Sequence, residues 1–405
     1  MMPQLLLPQD KVHLTGLVQS CLLLAKEQGF DISDIELGIS PTPLVQCHVD
    51  DRTTTLFLGE GESDADFVCR FASGQASPLA ISDLSKQANL LLLDVYHDFQ
   101  LVDLWAHEGT NRAIAFEGSP LNEQEQESYV AWLLTALVID FPIEDALVIA
   151  RAAVRDDVSR ETWPLNLEAF PVPVLSDSLL NIDVGWNVES DIQFPSTDSE
   201  RLKLYPVVDT VEWVARLLEL GVKTVQLRIK DSQDPDLESK VKEAIELGQQ
   251  YDAQVYINDY WQLAIKHGAY GVHLGQEDLE VAELDDIADA GLRIGLSTHG
   301  YYEILRIKQV NPSYIALGHI FPTTTKVMPS RPQGLVRLEL YQKLVGTFPT
   351  VAIGGIDLER APSVWKCGVS SLAVVRAITL SDDPKEVIGQ FHTLMSSRQK
   401  SGSDF

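Results

Sequence analysis

From Gly318 to Lys326 the chain reads Gly-His-Ile-Phe-Pro-Thr-Thr-Thr-Lys. Three hydroxyls and an ammonium in succession suit an anion, since hydroxyls donate to phosphate oxygens and lysine adds charge. The apolar run Tyr314-Ile-Ala-Leu-Gly318 has a strand pattern and Pro322 stops it, so these polar groups sit at a strand end. A second polar set lies in Val225-Gln-Leu-Arg-Ile-Lys230. Alternate side chains of a strand share a face, which puts Gln226, Arg228 and Lys230 together and Val225, Leu227 and Ile229 opposite. Long polar groups on an interior face need partners. They either turn outward or pair with interior acids, or they form a cationic clamp for a polyphosphate, with Gln226 reading a neutral ring or hydroxyl.

Carboxylates follow in Tyr256-Ile-Asn-Asp259 and Val272-His-Leu-Gly-Gln-Glu-Asp278. Asp259 and Asp278, at neighbouring strand ends, suit one Mg2+ that keeps waters and takes its other ligands from substrate phosphates. A strand-end aspartate also serves as a helix cap, a reading that fits Asp278 better than Asp259. Gly295-Leu-Ser-Thr-His299 offers Ser297, and Ala352-Ile-Gly-Gly-Ile356 and Val374-Val-Arg376 offer glycines and amides of the kind that cradle phosphate late in a barrel.

These motifs require elements that bring strand ends together. Strand-like runs recur at 202–208, 224–230, 255–259, 271–274, 293–298, 314–318, 350–356 and 371–377, with helical stretches such as 211–220, 237–251 and 302–309 between them. Eight β/α units predict a closed (β/α)8 TIM barrel, a doubly wound open sheet being the structural alternative. The N-terminal half reads as a smaller acidic α/β domain. It shows an opening helix over 1–30, strands at 55–58 and 90–94, and helices over 123–138 and 142–155. The predicted layout is a domain at 1–160, a Pro-, Asn-, Asp- and Ser-rich linker at 161–199, the barrel at 200–396 and a tail at 397–405. Asp94, His97, Asp98 and His107 match no metal-ligand spacing and read as scattered surface polar residues.

The net charge of −28 is uneven: residues 1–199 carry 32 acids against 9 bases. That half would repel a polyanion, which argues against nucleic-acid binding, though acidity also serves plain solubility. No run approaches the ~20 apolar residues of a membrane span. The N-terminus lacks the cationic start of a secretory signal. Four scattered cysteines, Cys21, Cys47, Cys69 and Cys367, read as free thiols of a cytoplasmic protein. Oligomeric state is not legible.

Taken together, Gln226-Leu-Arg-Ile-Lys230, Asn258-Asp259, His273-Leu-Gly-Gln-Glu-Asp278, Gly295-Leu-Ser297, Phe321-Pro-Thr-Thr-Thr-Lys326 and Ile353-Gly-Gly-Ile356 resemble, in this order, the thiamine phosphate synthase family over about residues 200–395. The resemblance implies a transferase joining hydroxymethylpyrimidine diphosphate to a thiazole phosphate with release of diphosphate. It implies that Gln226, Arg228, Lys230, Asn258 and Lys326 bind the pyrimidine diphosphate, that Asp259 and Asp278 hold Mg2+, and that Ser297 contacts the leaving diphosphate. Thr323, Thr325, Gly355 and the Val375–Arg376 backbone would hold the thiazole phosphate; Arg376 stands where the family often has Ser. A thiazole tautomerase on the same barrel and a non-catalytic thiamine phosphate-binding protein are the rival readings. Residues 132–150 also resemble the last helices of ribokinase-like pyrimidine kinases. Where those carry a Gly-rich anion hole and a catalytic acid, this chain has Glu117-Gly-Ser-Pro-Leu-Asn122, which implies that kinase activity is lost.

Overall fold

The computed structural model describes all residues except 1, 77–80, 82–83, 86, 108, 156–160, 184–185, 187–191, 324–330 and 397–405. The chain forms two compact units, Met1–Val184 and Gly185–Phe405. The boundary falls inside the stretch read from sequence as a linker.

The first unit is built on a nine-stranded mixed sheet. In chain order its strands are β1 (Gln4–Leu7), β2 (Glu36–Ile39), β3 (Val45–Val49), β4 (Arg52–Leu58), β5 (Phe67–Phe71), β6 (Leu90–His97), β7 (Gln100–His107), β8 (Thr110–Phe116) and β9 (Val172–Pro173). The spatial order is β2-β1-β3-β4-β5-β6-β7-β8-β9. Helix α1 (Thr15–Glu27), α2 (Glu123–Val138) and α3 (Ile143–Arg155) pack together, and every residue of α2 from Tyr129 to Val138 is buried. The opening helix expected over 1–30 is corrected: Gln4–Leu7 is a strand pairing with β2 and β3, because Leu5 and Leu7 alternate inward with period two. Helical periodicity begins only at Thr15.

The second unit is a closed barrel of eight parallel strands: β12 (Leu204–Val208), β13 (Thr224–Leu227), β14 (Gln254–Asn258), β15 (Gly271–Leu274), β16 (Arg293–Thr298), β17 (Tyr314–Gly318), β18 (Thr350–Ile353) and β19 (Ser371–Val374). A small hairpin of the first unit, Ser176–Asp177 with Ile182–Asp183, supplies β10 and β11. Closure is direct, since β12 pairs with both β13 and β19. The runs expected at 350–356 and 371–377 stop early. At β18 the reason is local: Gly354 and Gly355 take φ of 103° and 66°, which leaves the extended region.

Tyr205, Val207, Tyr256, Tyr314, Ala316, Val351 and Ala373 fill the barrel interior. Three tyrosines fit one axis because glycines face them. A Cβ on Gly295 would lie 2.0 Å from Tyr314 Cζ, and one on Gly271 would lie 2.6 Å from Tyr256 Cε1. The N-terminal mouth is sealed by residues 195–198. Pro195 O accepts from Ser313 Oγ and Ser196 O from Arg293 Nε, while Thr197 Oγ1 donates to Gln254 Oε1 and accepts from Tyr256 OH.

Candidate active site

Parallel strands end on the same side, so every described candidate residue falls on one rim or just inside it. On β13 exposure grades outward: Gln226 is buried, Arg228 half-buried and Lys230 exposed. Arg228 N–H still donates to Val208 O at 2.7 Å, which extends the strand direction past Leu227. Burial holds the Tyr260 phenol above its ordinary pKa; Asp259, Asp231 and Asp234 add to this and Arg228 opposes it. Asp259 and Arg228 therefore both act on the Tyr260 ring. Tyr260 in turn donates to Ile229 O at 3.0 Å, pinning the end of β13 to that of β14.

Asp259 leaves β14 in the left-handed conformation, φ 64°, which aspartate tolerates better than most residues. Its N–H donates to His273 O at 3.0 Å, and Trp261 N–H returns to Asp259 O at 2.8 Å. Asn258, one residue earlier, is buried and lies opposite His273 in register. Asp278 occupies the first turn of the short helix Gln276–Glu280, where its Oδ2 accepts from Gly275 N–H at 3.3 Å. It caps this helix from within, as one of the two sequence readings held. Carboxylate oxygens from two residues that follow adjacent strands are donors of the kind a hard divalent cation takes. Among the described residues no group of three or more His, Cys, Asp or Glu is arranged to hold a metal.

On β16, Ser297 Oγ lies 2.8 Å from His273 Nε2, and Ser297 O accepts from Gln276 Nε2 at 2.6 Å. Beyond β17, Ile320 and Phe321 N–H groups donate to Ile353 O and Gly354 O. That close approach explains the glycine pair: a Cβ on Gly354 would lie 2.4 Å from His319 Cβ, and one on Gly355 2.7 Å from Pro322 O. Thr323 follows, half-buried, while Thr325 and Lys326 lie outside the described residues. Val375 precedes the four-residue helix Arg376–Thr379, and the Arg376 side chain is exposed.

A family model described as thiamine monophosphate synthase matches residues 203–378. The thiamine-phosphate synthase of Cronobacter sakazakii is 63% identical over 183 residues, covering 45% of this chain and 87% of that protein. The thiamine-phosphate synthase of Yersinia pestis is 57% identical over 206 residues, covering 51% of this chain and 95% of that protein. The chain belongs to the thiamine phosphate synthase family. A solved thiamine phosphate pyrophosphorylase from Pyrococcus furiosus is 30% identical, covers 49% of this chain and 98% of its own, and superposes with a TM-score of 0.44.

Sequence reading gives no role to several residues that shape this rim. Tyr205, His273 and Tyr314 carry hydrogen bonds between Gln226 and Ser297. Arg360 donates to Gly355 O at 2.8 Å and lies over the Phe321 ring, 4.9 Å from its centroid. Period-two alternation along β12 and β17 was the available signal for the tyrosines; nothing local marks Arg360.

In the first unit three of the four residues set aside as a metal cluster, Asp94, His97 and His107, have other partners. Asp94 and Asp103 are buried with Arg151, which donates to Asp103 through Nε at 2.8 Å and through a terminal nitrogen at 2.7 Å. His97 pairs with Asp177 at 2.6 Å, and His107 lies 3.6 Å from Glu144. Contrary to their reading as surface polar residues, Asp94 and His97 are buried. Asp94 Oδ2 accepts from Leu121 N–H in the loop before α2. The α2 N-terminus is closed by its own capping box: Asn122 accepts from Gln124 and Glu125 N–H, and Glu125 accepts from Asn122 N–H.

Proposed function

We propose that the barrel couples 4-amino-2-methyl-5-hydroxymethylpyrimidine diphosphate with 4-methyl-5-(2-phosphoethyl)thiazole, giving thiamine phosphate and diphosphate. The enzyme is a transferase of thiamine biosynthesis. One observation carries the reading: at 57% identity the chain spans 95% of a thiamine-phosphate synthase. The rim adds chemical sense, because its cationic, amide, hydroxyl and carboxylate groups are those a diphosphate leaving group requires.

The bond that breaks joins the pyrimidine CH2 to a diphosphate oxygen, and its electron pair leaves with diphosphate. The aminopyrimidine ring stabilises the cation that develops at this carbon. The thiazole nitrogen then forms the new C–N bond with its own lone pair. Having no proton to lose, it needs no base. The substitution is therefore dissociative and uses no protein nucleophile; position and electrostatics supply the rate. Arg228, Lys230 and Lys326 spread the leaving charge, Ser297 donates to it, and Gln226 and Asn258 orient the ring. Thr323, Thr325, Gly355 and the Val375–Arg376 amides hold the thiazole phosphate, with the exposed Arg376 guanidinium adding charge nearby. Asp259 and Asp278 would hold Mg2+, which when bound neutralises charge building on the diphosphate.

The first unit is proposed to lack phosphoryl transfer. Its α2 N-terminus already carries Asn122 and the Glu125 carboxylate, so a phosphate there would meet a filled cap and a like charge. The partners are then two small molecules, and the compartment the cytoplasm, whose reducing conditions suit four buried cysteines that form no disulfide. Among the described residues no helix is long and apolar enough to cross a membrane. The test is to supply both substrates with Mg2+ and follow thiamine phosphate. Formation that stops on chelation is expected; no thiamine phosphate under saturating Mg2+ overturns the assignment.

A further inference from the structure

We propose that Gln226, Tyr205, Tyr314, His273 and Ser297 form one directional hydrogen-bond chain inside the barrel. This chain presents Ser297 to the substrate as a donor and Gln226 as an acceptor. Tyr205, Tyr314 and His273 are then positioning residues, a role that rests on the coupling reaction proposed above.

The links are continuous. Gln226 Nε2 donates to Tyr205 OH at 3.1 Å, Tyr205 OH meets Tyr314 OH at 2.8 Å, Tyr314 OH meets His273 Nδ1 at 2.8 Å, and His273 Nε2 meets Ser297 Oγ at 2.8 Å. Each hydroxyl owns a single hydrogen, so choosing the first donor orders the rest. Tyr205 accepts from Gln226 and donates to Tyr314. Tyr314 then donates to His273 Nδ1, which makes Nδ1 the bare nitrogen of a neutral imidazole. The ring hydrogen sits on Nε2 and goes to Ser297. Ser297 keeps its own hydrogen for an acceptor at the rim, and Gln226, its nitrogen committed inward, keeps its carbonyl oxygen.

Exposure of Tyr205, Tyr314 and Gln226 is 1%, 0% and 3%, so bulk water cannot replace a link. Burial also raises the pKa of both phenols, keeping them as O–H donors. The two ends together select a substrate bearing anionic oxygens near Ser297 and an N–H donor near Gln226. A diphosphate on an aminopyrimidine has both. An oxo group in place of the amino group would set two acceptors face to face.

Nitrogen-15 NMR of the full chain with labelled histidine tests this, the His273 signal being assigned by its loss in His273→Asn. The expected spectrum at neutral pH is the Nε2–H tautomer; an Nδ1–H tautomer in the wild type overturns the proposal. Tyr314→Phe keeps the ring and cuts the chain. It is expected to shift His273 toward mixed tautomers and to lower kcat/KM for the pyrimidine diphosphate about tenfold, the worth of one hydrogen bond. Tyr205→Phe cuts the neighbouring link, should act in the same direction, and serves if Tyr314→Phe does not fold. Wild-type tautomer and wild-type kcat/KM in a folded variant overturn the proposal. The tautomer is read in the free enzyme, so failure of the coupling reading shows separately, as absent thiamine phosphate.

Discussion

Asp259 and Asp278 both follow barrel strands, yet the backbone asks different things of them. Asp259 occupies a left-handed φ of 64°, whereas Asp278 accepts from Gly275 N–H to close a short helix. Substitution must respect this. Alanine at 259 would add a conformational cost of about 1 kcal/mol to any loss of chemistry, so asparagine is the cleaner change. Asp259→Asn is expected to lower kcat about 100-fold or more while thermal unfolding stays at the wild-type temperature. Diphosphate release in saturating Mg2+ measures the first, and retained turnover would remove Asp259 from the metal site. Asp278→Ala should lose turnover and also about 1 kcal/mol of stability through the missing cap, while Asp278→Asn should recover the stability alone.

At the scale of elements, the tyrosine-filled barrel depends on β15 and β16 carrying glycine where the rings lie. Gly295→Ala would place a methyl 2.0 Å from Tyr314 Cζ, a ring whose hydroxyl is held by Tyr205 and His273. We expect a loss of about 1–3 kcal/mol by urea denaturation, the usual cost of overpacking. In the first unit, β6, β7 and α3 meet at Asp94, Asp103 and Arg151. Burial raises the Asp94 pKa; the Arg151 guanidinium opposes this and the Asp103 charge adds to it. A carboxyl with a raised folded-state pKa binds its proton more tightly when folded. Its contribution is therefore full below the unfolded-state value and is lost as pH rises through the folded-state value. Asp94→Asn keeps an acceptor for Leu121 N–H and no longer titrates. Its stability relative to wild type should rise from about pH 4 upward, as read by denaturation of both proteins across that range.

For the whole molecule, the useful boundary lies inside the stretch read as a linker and short of its end at 199. Residues 195–198 seal the barrel's N-terminal mouth, and Thr197 answers both Gln254 and Tyr256. A chain starting at Ser199 would strip partners from three buried side chains, Gln254, Tyr256 and Ser313, whereas one starting at Ile192 keeps them. The shorter chain is expected to be less stable by at least about 2 kcal/mol in urea. The Ile192 chain should retain coupling activity, since the family match lies at residues 203–378. Coupling that vanishes in a folded Ile192 chain would assign the first unit a direct role.

The barrel was legible because β/α alternation is a local, periodic signal, and the rim was legible because polar residues crowd the ends of runs such as Val225–Lys230 and Val272–Asp278. The first unit was less so. Its strands β1, β2 and β3 are four or five residues long, too short for period two to stand out from a neighbouring helix. Two features belonged to tertiary structure alone. Thr197 reaches Gln254 across 57 residues, and Tyr205 reaches Tyr314 across 109. Pattern within a window identifies which faces turn inward. Which inward groups meet depends on closure of the barrel, which sets strands far apart in sequence around one axis.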